Sequence, residues 1–72
     1  MLLDKVTLPV ARKIANLTQK ELATICKVSE STVINWEKGR TEPTISQAVC
    51  IANATGIPYD RIIFLTRNTV KP

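Results

Sequence analysis

The sequence predicts an all-α fold organised around two short helices in residues 18–39, and three observations predict it. Hydroxyl residues stand where helices would begin: Thr18 has Glu21 three residues on, Thr44 has Gln47, and Ser29 has Thr32. Behind each cap the apolar residues recur at helical spacing. Both glycines, Gly39 and Gly56, fall where those helices would end, since glycine enters the left-handed conformation without steric cost.

Residues 1–7 (MLLDKVT) are expected to be a short, partly ordered lead-in. Thr7 is placed to cap a first helix running to about Asn16, with Pro9 in its opening turn, where the missing N–H costs nothing. Leu8, Ala11, Ile14 and Ala15 supply its core face, and Arg12 sits at one edge of that face. The helix opened by Thr18 gathers Leu22, Ala23 and Cys26 on one side. Cys26-Lys27-Val28 then turns the chain, with Val28 as the apolar plug. From Ser29 the third helix points Val33, Trp36 and Glu37 one way. Its other side carries Ser31, Ile34, Asn35 and Lys38 at i, i+3, i+4 and i+7. After the RTEPT loop, a fourth helix runs from Thr44 to about Thr55, with Ile45, Ala48, Val49 and Ala52 inward. Residues 66–72 (TRNTVKP) are polar, end in proline, and are expected to fray.

At 72 residues, 44% hydrophobic and 22% charged, the chain reads as one globular domain, 1–72, with a small core and no repeat or linker. No apolar run approaches a membrane span, and the N-terminus lacks the pattern of a secretory signal, so a cytoplasmic location is expected. Cys26 and Cys50 are far apart in sequence and there is no histidine, which leaves too few ligands for zinc and no CxxC. Both are expected to be small apolar residues kept reduced. The absence of histidine and of a Gly-rich phosphate loop, with only six carboxylates, argues against an enzyme, a small-molecule substrate or a cofactor.

The net charge of +4 is compatible with a polyanionic partner. Between Thr18 and Pro43, however, Lys20, Lys27, Lys38 and Arg40 are balanced by Glu21, Glu30, Glu37 and Glu42. The excess lies outside, in Lys5, Arg12, Lys13, Arg61, Arg67 and Lys71 against Asp4 and Asp60.

Two short helices with a polar stripe on the second are the layout of a helix-turn-helix, which sets a recognition helix in the DNA major groove. The run LTQKELATICKVSESTVINWEKGRTEPT resembles the lambda-repressor/Cro-like, XRE-type helix-turn-helix family, and the similarity extends from about Ala11 to Ile63. That resemblance implies a compact bundle of about five helices, the fifth in IPYDRIIFL, with Ile57 and Ile62 closing the core. It implies that Arg12 pairs with Glu37 to set helix packing. It also implies a departure at Lys27, where the family most often has glycine for a positive φ.

For function the resemblance implies a small regulator that binds double-stranded operator DNA, of the kind found in a phage lysis–lysogeny switch, either as a repressor or a Cro-like protein. Carried across to this chain, Ser29, Glu30, Ser31, Ile34 and Asn35 would face base edges or a partner. Asn35 suits adenine N6 and N7, Glu30 cytosine N4, and Ile34 a thymine methyl. Thr18, Gln19, Lys38, Arg40 and Thr41 would hold the phosphate backbone, with Gln19 also bracing the recognition helix. Lys38 and Arg40 read equally as solvated surface. Cro-like proteins commonly form homodimers, for which Ile63, Phe64 and Leu65 are candidates, although the same residues could finish the core.

A second reading stays open beside the first. Some small phage switch proteins resemble Cro yet act as antirepressors, forming a complex with the phage's own repressor protein. The neutral motif, Glu30, and the apolar pair Ile25 and Ile34 on outward faces suit a surface that meets a basic recognition helix.

Overall fold

The computed structural model describes residues 5–64, so the expectations for Leu65 and for the tail 66–72 lie outside the described residues. The described chain is mostly helical: strand β1 (Val6–Thr7), helices α1 (Leu8–Ile14), α2 (Gln19–Cys26), α3 (Glu30–Glu37) and α4 (Ile45–Thr55), a 3₁₀ turn (Tyr59–Arg61) and strand β2 (Ile62–Ile63).

The caps act as their chemistry dictates. Thr18 and Thr44 form complete capping boxes: each hydroxyl accepts from the backbone N–H three residues on, at 3.0 Å from Glu21 and 3.1 Å from Gln47. The Glu21 and Gln47 side chains return the bond to the cap's own N–H at 2.8 Å. Ser29 accepts from the Thr32 N–H at 3.1 Å. α3 and α4 end on Gly39 (φ 76°) and Gly56 (φ 78°).

Lys27 takes the left-handed conformation itself, at φ 60° and ψ 42°. Its N–H bonds the Thr24 carbonyl at 3.2 Å and the next, from Val28, bonds Ala23 at 2.9 Å, which closes α2 and sets the angle at which α3 departs. The strain of a side chain in this region is carried by the packing on either side of the turn.

Three details differ from the sequence reading. Thr7 takes the N-cap position of α1 but makes no side-chain bond there, and its backbone lies in β1, which pairs in parallel with β2 in the register Val6 to Ile62 and Thr7 to Ile63. The lead-in is thus partly strand. The fifth helix is correspondingly only a 3₁₀ turn: the Arg61 N–H closes it on the Pro58 carbonyl at 2.9 Å, and the chain then extends through Ile62 to pair with β1. Ile62 is buried and Ile57 packs against the core.

The core faces also shift. Ile14 is 58% exposed because α1 ends there, with Ala15 closing the helix and Asn16 turned to φ 61°. α4 turns Ala48, Ile51 and Thr55 inward with Ala52 against the core, and leaves Ile45 and Val49 outside. The helix is apolar on more than one side, so spacing alone offers two overlapping stripes. The core that results joins Leu8, Ala11, Leu22, Ala23, Val33, Trp36, Ile51 and Ile62.

Candidate nucleic-acid interface

The buried side of α3 fixes where its other side points. Val33 and Trp36 are inserted into the core, and Glu37, one residue on, faces α1 and α2. The Arg12 guanidinium donates to Glu37 Oε2 through Nε at 2.6 Å and to Oε1 through a second nitrogen at 3.3 Å. Its remaining arm reaches the Leu17 carbonyl at 2.9 Å. Gln19 Nε2 donates to the same Glu37 Oε1 at 2.9 Å. One carboxylate near the end of α3 is therefore held by α1 and by the first residue of α2. The ion-paired side chains are only 12% and 8% exposed, so the pair is screened little by solvent.

With that side locked, Glu30 and Ser31 are exposed, and Ile34 and Asn35 are half-buried along the outward stripe. Asn35 is pre-positioned by the loop after α3. The Arg40 guanidinium donates to Asn35 Oδ1 at 3.3 Å, and the Arg40 N–H bonds the Asn35 carbonyl at 3.0 Å. An amide oxygen has two lone pairs, so Oδ1 keeps one for an adenine N6 donor while Nδ2 offers its hydrogens to N7. Arg40 thereby sits beside Asn35 rather than standing apart from it.

Ser29 is the exception in its group. Its hydroxyl is already committed to the Thr32 N–H and shares a 2.9 Å contact with the Thr32 hydroxyl, so its first role is to start the helix. Thr18 is similarly engaged at the start of α2, and Lys38 and Thr41 are exposed at the far end of the stripe.

A shallow recess of about 520 Å³ opens where the end of α1 meets the starts of α2 and α3. Lys13 and Asn16 line it together with Thr18, Gln19 and Glu30. Neither Lys13 nor Asn16 was marked by the sequence, because the left-handed Asn16 that brings them there follows from where α1 stops. The recess puts a lysine and an amide next to the N-terminal N–H groups of α2, an arrangement suited to a phosphate oxygen.

The helix-turn-helix family model matches residues 10–62, most of the chain and all of the elements that build this surface. Comparison with curated proteins and with solved structures gave no match.

Proposed function

We propose that this chain, which belongs to the XRE-type, lambda-repressor-like helix-turn-helix family of DNA-binding regulators, is a small cytoplasmic transcriptional regulator that reads operator DNA with the outward side of α3. The observation that carries this is the locked Arg12–Glu37–Gln19 cluster behind a stripe on which Asn35 is held by Arg40. Such a stripe, fixed relative to the start of α2, lets base contacts and phosphate contacts be made in one register. Glu30, Ser31, Ile34 and Asn35 face bases in this reading. Thr18, Gln19, Lys38, Arg40 and Thr41 face phosphates, with Lys13 and Asn16 added by the recess. Ser29 supports the set as the helix cap. A homodimer would present two such stripes to two half-sites, as in a phage-type switch.

A second reading is favoured by one observation. Ile25, 47% exposed, joins Leu17 and Thr24 with the charged Lys20 and Glu21 around a hollow on α2, so the helix-turn-helix has an exposed aliphatic beside charge as well as the acidic Glu30. In this reading the same face acts as an antirepressor and meets the basic recognition surface of a phage repressor.

Glu30 separates the two. Replacing Glu30 with glutamine removes a negative charge near the phosphates and keeps a hydrogen-bonding end, so affinity for non-specific duplex should rise by a few-fold. Against a repressor's DNA-binding domain the same change should slow association or speed release. Parallel titrations of wild type and Glu30→Gln with duplex and with the repressor domain measure both. Weaker repressor binding, with no DNA affinity in either protein, would overturn the DNA-reading proposal.

A further inference from the structure

Two cysteines far apart in the chain meet in the fold. Cys26 is the last residue of α2 and Cys50 lies midway along α4, 24 positions later, yet their sulfur atoms are 2.6 Å apart. Cys50 Sγ also lies 3.8 Å from the Ile25 carbonyl oxygen. Both side chains are partly accessible, and the facing residues of α2 and α4 form no other polar contact at this point among those described. A disulfide needs about 2.05 Å between sulfurs, roughly half an ångström less than their separation here.

We propose that Cys26 and Cys50 are a thiol-oxidation site, forming an intramolecular disulfide with a low-molecular-weight disulfide such as oxidised glutathione as the oxidant. Burial beside Cys50 pushes the Cys26 thiol up to about 12, which makes its thiolate scarce. The Cys50 thiolate attacks one sulfur of the oxidant, forming a mixed disulfide and releasing one glutathione thiolate. Cys26 then loses its proton to solvent and its thiolate attacks the Cys50 sulfur; the mixed disulfide breaks, and the second glutathione leaves as a thiolate that takes up a proton. Two protein thiols lose two electrons, and one oxidant disulfide becomes two thiols.

The new bond closes a loop that contains the turn at Lys27, all of α3 and the first half of α4. Opening α3 would then no longer release a free chain, so the unfolded ensemble is restricted chiefly around the recognition helix. None of the outward residues of α3 takes part. The oxidised form should therefore be the same DNA-reading domain with a longer-lived fold, a consequence that stands even if the face of α3 binds protein instead.

The test treats the purified full chain with oxidised glutathione or with a reducing agent, then compares intact mass, thiol alkylation and thermal melting. The expected result is a monomer lighter by two hydrogens, closed to alkylation, with a melting midpoint raised by about 10 °C. Cys50→Ser should fold, accept no internal bond and show no rise; Cys26→Ala checks the same point from the other side. Disulfide-linked dimers, a stable glutathione adduct without ring closure, an internal bond that leaves the midpoint unchanged or lowered, or a rise that persists in Cys50→Ser would each overturn the proposal.

Discussion

Glu37→Ala is expected to lower folding stability by about 3 kcal/mol or more, because it strips the counter-charge from a guanidinium that stays largely buried. Arg12 would keep only its bond to the Leu17 carbonyl, and Gln19 would lose the acceptor that ties α2 to α3. For a domain of this size such a loss corresponds to a melting midpoint lower by roughly 12–24 °C. Thermal denaturation followed by circular dichroism measures it. The penalty comes from leaving one ion alone, not from the net worth of the pair, so Arg12→Met combined with Glu37→Leu should recover much of it. A midpoint that does not move in Glu37→Ala would show that the cluster does not hold the fold.

Trp36→Ala is the second large effect. Trp36 is 3% exposed and shares a cluster with Leu8, Leu22, Val33 and Ile51, so truncation leaves a cavity between α3 and the rest of the bundle. The expected cost is about 3–5 kcal/mol. Against a total stability on the order of 4–11 kcal/mol for 72 residues, that leaves a substantial unfolded fraction on modest warming. Urea denaturation should be read by circular dichroism, since the substitution removes the only tryptophan in the chain. A loss below about 1 kcal/mol would mean that α3 is not anchored through this side chain.

These two residues also show which parts of the fold were legible in the sequence. Local signals carried well: the Thr18 and Thr44 capping boxes, the Ser29 cap and the stops at Gly39 and Gly56 depend on neighbours within a few positions, and each is present. Lys27 was marked through the family resemblance, and its positive φ is what a turn of this geometry requires. Choices set by distant contacts carried less well. Whether α4 buries Val49 or Ile51 depends on what α1 and α2 present to it, and a helix apolar on several sides does not encode that choice. The pairing of β1 with β2 joins residues 56 positions apart through backbone groups, which have no side-chain signature. The meeting of Cys26 with Cys50 is of the same kind.

The face of α3 was legible as a stripe but not as a set of contacts. Spacing put Ser31, Ile34, Asn35 and Lys38 together. It did not reveal that Arg40, after the helix has ended, reaches back to Asn35, or that Ser29 spends its hydroxyl on the cap. Nor could it place Lys13 and Asn16 beside the start of α2. Each of these follows from how a loop bends, and loop geometry is determined by the packed elements on both sides of it.

In the proposed function the outward side of α3 reads base edges while its flanks hold phosphates. Binding of wild type, Asn35→Ala and Lys38→Ala to a set of operator variants, each titrated at several salt concentrations, tests it most directly. Asn35→Ala should lose about 1–3 kcal/mol of discrimination at one base step and keep the salt dependence of wild type. Lys38→Ala should weaken binding to every variant alike and flatten the salt slope by about one unit. If neither substitution alters affinity, preference or salt slope, DNA is not what this face of α3 binds.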